Sequence, residues 1–194
     1  MHPIFLIPAV LLGILTGKAL ARNTVRGDVG DDTTLEPTSV DLKGVTFGAW
    51  EKFVGLMATA PKGTVTPRGK LGAFSMDARR LKDVGFMVSA GKGRRGDEAG
   101  VWLGKWTPPL TEAAFLGSMP LQYAAFVRSM RSAAPKVSRL VGSRVDEGTC
   151  SLSGLLGVSH VAGDTGVESW VKSPEIRRRF SSTTQAFQRT NGIF

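Results

Sequence analysis

Glu51 is the residue of this chain best suited to acid chemistry. It stands in Gly48-Ala49-Trp50-Glu51-Lys52-Phe53, ahead of Thr66-Pro67-Arg68-Gly69-Lys70-Leu71-Gly72-Ala73-Phe74-Ser75-Met76. Cleaving a glycosidic bond needs a carboxylic acid that is still protonated near neutral pH. Apolar neighbours supply that condition, because desolvation disfavours the charged form. At helical spacing Glu51 falls at the margin of the stripe made by Phe47, Trp50, Phe53, Val54 and Met57, where a carboxyl can be half-desolvated. Gly69 and Gly72 would let a turn of backbone approach a sugar closely. Taken alone, the local pattern favours a plainer reading, in which Glu51 is a solvated residue paired with Lys52 or a distant base.

The other chemistry-bearing residues are fewer. Gln122 and Tyr123 suit a hydroxyl-rich ligand, since amide and aromatic edges bind sugars, although Tyr123 fits a core equally well. Trp102 and Trp106 are read with equal weight as sugar-stacking rings or as core. His160 lies among small residues and reads as a packed, hydrogen-bonded core histidine. His2 is the only other histidine, which excludes a His-rich metal site. Cys150 is the sole cysteine, so no intramolecular disulfide and no cysteine-based metal site is expected. No cofactor or metal is expected. Lys92-Gly93-Arg94-Arg95 and Arg177-Arg178-Arg179 read as solvated bases able to touch phosphates. Asp77 and Asp83 are the nearest candidates for a second carboxylate, and no spacing argument places either opposite Glu51.

These residues need helices to hold them. A first helix through Phe47–Met57 is closed by Pro61 and Gly63. Gly69–Gly72 form a turn. Ser75 is expected to cap a helix through Ala78, Leu81 and Val84 that Gly85 ends. Residues 91–100 read as a polar glycine-rich loop, with only weak strand character near Val45 and Met87. Thr111 caps a helix with Ala114, Phe115 and Leu116, and Pro120 starts another that should end before Pro135. A short helix over 137–141 is expected next. Ser151 or Ser153 caps the segment that Gly163 and Gly166 stop, 167–171 adds a short turn, and 174–180 and 183–189 close the chain. The fold class is mainly α.

The chain has 194 residues, with 25 Lys and Arg against 16 Asp and Glu, a net charge of +9. Length fits one domain with a tail, and the basic balance favours a polyanionic partner: nucleic acid, anionic lipid or an acidic wall polymer. Residues 1–22 hold an uncharged apolar run, 4–16, followed by Lys18, Arg22 and Arg26. They read as a membrane anchor or a signal segment, with membrane contact through residues 4–20. The anchor is the preferred reading, because Met1-His2-Pro3 lacks the usual positive charge. Residues 23–39 read as a linker and 40–194 as the globular domain.

Three blocks also resemble one family. Thr66-x-x-Gly69-x-x-Gly72-Ala73-Phe74-Ser75 is similar to the glycine turn that follows the catalytic Glu of lytic transglycosylases. Phe115-Leu116 with Pro120-Leu121-Gln122-Tyr123-Ala124-Ala125 resembles a helix of phage lysozyme-like domains. Ser153-Gly154-Leu155-Leu156-Gly157-Val158-Ser159-His160-Val161-Ala162-Gly163, then Gly166-Val167, resembles a further element of the same domains. Lys52 stands where the family usually has Ser, and Ser75 where it has Gln. The resemblance implies a lysozyme-like (goose-type or transglycosylase-like) fold. It implies peptidoglycan strands as substrate, with Glu51 as acid and then base on the muramyl 6-hydroxyl. Gly69, Gly72, Ala73, Phe74, Ser75, Gln122 and Tyr123 would line the site. It further implies an envelope or virion setting with virion or secretion-complex partners, nucleic acid being the less favoured partner. Hydrolysis in place of the anhydro-forming reaction stays open, as does a non-catalytic structural or DNA-ejection protein that keeps the fold as scaffold.

Overall fold

Six of the eight α-helices among the described residues begin at a residue whose side chain accepts from a first-turn N–H. The computed structural model describes residues 42–95 and 98–194. α1 (Phe47–Met57) starts at Thr46, whose hydroxyl accepts from the Ala49 N–H, and it buries Trp50, Phe53 and Met57. α2 (Ala78–Asp83) is capped by Asp77 rather than Ser75. Ser75 instead sits at φ 49° in the preceding turn, a conformation that cannot begin a helix. β1 (Met87–Arg95) and β2 (Glu98–Trp106) form an antiparallel hairpin where a glycine-rich loop was expected. The many glycines hid the strand alternation, but they do not prevent ladder pairing.

α3 (Glu112–Gly117) is capped by Thr111, as its sequence suggests. α4 (Met119–Val137) is capped by Ser118 and runs through Pro135 rather than ending before it. A proline in the last turn removes one N–H, while the helix is held by a stripe containing Ala125, Phe126, Met130, Ala133 and Val137. A 3₁₀ turn over Ser138–Leu140 replaces the expected short helix. A two-residue ladder, β3 (Arg144–Val145) with β4 (Gly148–Thr149), leads to α5.

α5 (Leu152–Ala162) is capped by Ser151, and every residue from Ser153 to Ser159 is buried, so it is the central helix. α6 (Asp164–Lys172) contains Gly166, which was expected to stop a helix, and extends the turn expected at 167–171. α7 (Pro174–Arg179) and α8 (Ser181–Thr190) complete the order. α8 lies close on α5 because two α5 positions lack side chains. A Cβ on Gly157 would come within 2.3 Å of Thr190 Oγ1 and 3.1 Å of the Ala186 carbonyl.

The fold is thus mainly α with two small hairpins among the described residues. Its core is aromatic. Phe74 stacks on Phe126 at 4.4 Å, Trp50 and Phe53 lie against Phe126, and Phe194 packs on Trp50 and Phe53. The expectation of a transmembrane helix is corrected: among the described residues no helix is long and apolar enough to cross a membrane. The segments read as anchor or signal (1–22) and linker (23–39) lie outside the described residues.

Candidate functional site

The glycine turn is built by backbone closure. Leu71 and Met76 exchange N–H···O bonds of 2.8 and 2.9 Å, and the Ser75 N–H donates to the Gly72 carbonyl at 3.1 Å. Gly72 has φ +73°, which only glycine adopts without strain. Its Cβ position is also occupied, with Gln122 Oε1 2.4 Å from where a methyl would stand. Gly72 is therefore glycine to admit a glutamine side chain. The close approach expected of a sugar is made by the protein itself.

Gln122 clamps the turn. It is fully buried on α4. Its Oε1 accepts from the Ala73 N–H at 2.8 Å, and its Nε2 donates to the carbonyls of Phe115 (2.9 Å), Lys62 (3.0 Å) and Leu116 (3.3 Å). Both ends of the amide are thereby occupied by backbone. The Ala73 carbonyl accepts from Thr59 and Ala60 at 3.0 and 3.3 Å. Gly69, Gly72, Ala73 and Phe74 are buried and Ser75 is half-buried. The turn expected to floor a sugar groove is instead an internal joint between the segment after α1, the last turn of α3, and α4.

His160 fixes the other side of this joint. The Phe74 carbonyl lies 2.7 Å from its Nε2. A carbonyl only accepts, so Nε2 carries the proton and Nδ1 is left as a buried acceptor with no partner. The ring meets Phe126 edge-on at 5.3 Å. Burial, together with the nearby Arg80 charge, lowers the His160 pKa to about 3, against which the Phe74 hydrogen bond works only partly. His160 is accordingly neutral at neutral pH, the packed core histidine that its small neighbours suggest.

Arg80 joins three helices and was not singled out by sequence. Its guanidinium donates to Ser129 Oγ on α4 at 2.6 Å and to the Ser159 carbonyl on α5 at 2.8 Å. Ser159 Oγ donates in turn to Asp164 Oδ1 at 2.6 Å, and Lys136 pairs with Asp164 at 2.6 Å. Burial alone would raise the Asp164 pKa, but hydrogen bonds from Lys136 and Ser159 outweigh it and hold the carboxyl below its usual range. The available signals were Ser129 inside an otherwise apolar stripe and Asp77 three residues before Arg80. A cavity of about 300 Å³ beside this network, between the end of α4 and α6, is edged by Lys136, Arg139, Asp164 and Glu168. Those charges are spent on one another, since Arg139 and Lys172 both pair with Glu168.

Glu51 is exposed on the outer side of α1, so the half-desolvated carboxyl expected there is not found. It lies six residues before the helix end, about 9 Å along the axis. The residues that meet the turn are Thr59 and Ala60. No Asp or Glu occurs between Glu51 and Asp77, and Asp77 Oδ1 is engaged as the α2 cap by the Arg80 N–H at 2.7 Å. Beside Glu51, Trp50 Nε1 donates to Tyr123 Oη at 2.8 Å, leaving Tyr123 half-buried at the α1–α4 contact.

Trp106 packs on Phe115 at 5.2 Å, as core rather than as a sugar platform. Arg177 is not solvated as expected. It is buried, donates to the Trp170 and Val171 carbonyls, and pairs with Asp146 at 2.9 Å. Arg178 and Arg179 are exposed. Among the described residues no group of three His, Cys, Asp or Glu is placed to hold a metal ion. Comparison with protein families, curated proteins and solved structures finds no match for this chain.

Proposed function

We propose that this chain is a non-catalytic protein that keeps a lysozyme-like core as a scaffold and binds nucleic acid through its basic surface. The setting, a virion or secretion machine that delivers DNA, rests on the sequence resemblance alone. One observation carries the reading. The strand-and-turn segment that docks on the end of α1 has no carboxylate anywhere between Glu51 and Asp77, while Glu51 is exposed about two helical turns away. General-acid cleavage needs a carboxyl kept protonated by desolvation, and Glu51 stands exposed on α1. The net charge of +9 supports a polyanionic partner.

The competing reading is the peptidoglycan transglycosylase, with Glu51 as acid and the turn as floor. It is supported by the convergence of the three resembling blocks on one core, with Trp50 and Tyr123 beside Glu51. Zymography on purified murein with the native chain and Glu51→Gln separates the two. The scaffold reading expects no clearing and no muropeptide release from either protein. Release by the native chain that disappears in Glu51→Gln overturns it. The nucleic-acid half is tested by titrating duplex DNA at several salt concentrations, where a steep fall of affinity with salt is expected.

A further inference from the structure

Two stretches of the chain carry bases without an acid: residues 128–144 hold five Lys and Arg, and residues 176–194 hold four Arg. The structure uses them differently. In the first, Lys136 pairs with Asp164 and Arg139 with Glu168, and the Arg128 guanidinium lies 5.5 Å from the centre of the Phe86 ring. In the second, Arg177 is consumed: it is buried and held by the Trp170 and Val171 carbonyls, Asp146 and Glu147. Arg178, Arg179 and Arg189 are exposed, and none of them pairs with an acid among the described residues. Glu175, exposed one turn before Arg179 on α7, is the nearest acid along the chain and leaves this exposed group a net +2.

The clamp on Arg177 fixes α7, so the residues that follow are held at a set place on the surface. Phe180 stands at the corner between α7 and α8. Its ring is 49% exposed, lies outside the core cluster, and carries the Arg179 guanidinium at 5.7 Å. α8 continues the surface. It buries Thr183, Ala186, Phe187 and Thr190, while Ser181, Ser182, Gln185, Gln188 and Arg189 are exposed on one outer face by their spacing. That face offers hydroxyls, amides and a guanidinium, and no carboxylate. From Ser181 to Arg189 it runs about 12 Å, the axial length of about three phosphates of one strand.

We infer that the α7–α8 corner is the nucleic-acid contact of this protein, with Arg178, Arg179 and Arg189 on phosphates and Phe180 as a stacking ring for an unpaired base. This deepens the nucleic-acid reading above and rests on it. A guanidinium with no internal carboxylate binds phosphate without first breaking an ion pair, which favours this stretch over residues 128–144. Each phosphate contact releases counterions and sets a salt dependence. The aromatic adds stacking that tolerates any base, and it separates nucleic acid from other polyanions.

The test compares the full-length chain with three variants, on duplex and on single-stranded DNA of equal length. Arg178→Gln/Arg179→Gln/Arg189→Gln should lower the slope of log K against log salt by about 2 to 3 on duplex, and weaken binding roughly 100-fold near 0.1 M salt. Lys82→Gln/Lys105→Gln/Arg144→Gln removes the same number of exposed charges elsewhere and should weaken binding by no more than about 3-fold. Phe180→Ala should weaken single-strand binding by about 10-fold and leave duplex binding unchanged. Circular dichroism and an unchanged urea midpoint establish that each variant is folded. Native-like binding by the corner triple variant, or equal losses in the two triple variants, overturns the corner and leaves the nucleic-acid reading standing. Unchanged single-strand binding in Phe180→Ala overturns the stacking role. Phosphatidylglycerol vesicles that outcompete DNA for the native chain, but not for the corner variant, make the corner a membrane contact and overturn it as a nucleic-acid site. No binding of either DNA by the native chain sinks the broader reading itself.

Discussion

Two glycine-rich segments of similar composition behave in opposite ways. The turn over 69–76 is buried and stitched into the protein by Gln122, His160, Thr59 and Ala60. The hairpin of β1 and β2 is a two-stranded ladder tied to the body through Met87, Trp106 and α2. In the first, a glycine makes room for a neighbouring side chain and takes a left-handed φ. In the second, glycines occupy ladder positions. Glycine content alone therefore says that backbone is approached closely, and leaves open whether the visitor is the protein or a ligand.

The largest effect that would break this contrast is at Gln122. Gln122→Ala leaves the Ala73 N–H and the carbonyls of Phe115 and Lys62 without their buried partner and opens a void. A loss of about 3–5 kcal/mol is expected, read from the urea midpoint. Lys105→Gln, at an exposed position of the hairpin, should stay within about 0.5 kcal/mol. Comparable losses at the two sites would erase the distinction between turn and hairpin.

Acid should loosen the joint next. The folded-state pKa of His160 is depressed to about 3 from an unfolded value near 6.5. The unfolded chain thus takes up a proton between those values that the folded chain refuses, so stability is full above pH 6.5 and falls as pH drops toward 3. Between pH 7 and pH 5 the linkage amounts to about 2 kcal/mol. His160→Gln, whose amide can still donate to the Phe74 carbonyl, should flatten that slope. Asp164, also held low, adds its loss only below about pH 4, because its unfolded carboxyl is still ionised at pH 5. An unchanged slope in His160→Gln would assign the acid sensitivity elsewhere.

The smallest effect sharpens the comparison. Ser75 holds φ 49° without being glycine. Ser75→Gly should relieve that strain and raise stability by about 0.5–1 kcal/mol, offset in part by the greater freedom of glycine in the unfolded chain. A thermal scan reads it directly. A decrease would mean that the Ser75 hydroxyl carries more than the backbone conformation suggests.

Much of the helical order was legible because caps and apolar spacing are local. Thr111 starts its helix where the sequence places it, Ser151 is the one of the two serines offered that caps α5, and Trp50, Phe53 and Met57 fall on one buried face. The failures have equally local causes. Ser75 lost the α2 cap to Asp77 because the preceding turn holds it at positive φ. Pro135 did not end α4, because packing along the stripe outweighs one missing N–H at the last turn. The hairpin was missed because glycine masks strand alternation. Gln122 and the turn were correctly grouped, yet with the wrong occupant. Spacing brings an amide to a backbone, and nothing in a linear pattern says that the amide is already satisfied there.

The sequence by itself determined most helix starts, the aromatic content of the core, the basic balance of the chain, and the lack of any acid between Glu51 and Asp77. Only the tertiary structure decided that Glu51 faces water, that Gln122 and His160 are consumed in holding the Gly72–Phe74 turn, and that Arg80 and Arg177 are structural while their neighbours remain exposed. The reason is physical. Caps and charge counts are set by residues close along the chain. Burial and hydrogen-bond occupancy depend on partners dozens of residues away, such as the 49 positions between Ala73 and Gln122 and the 86 between Phe74 and His160.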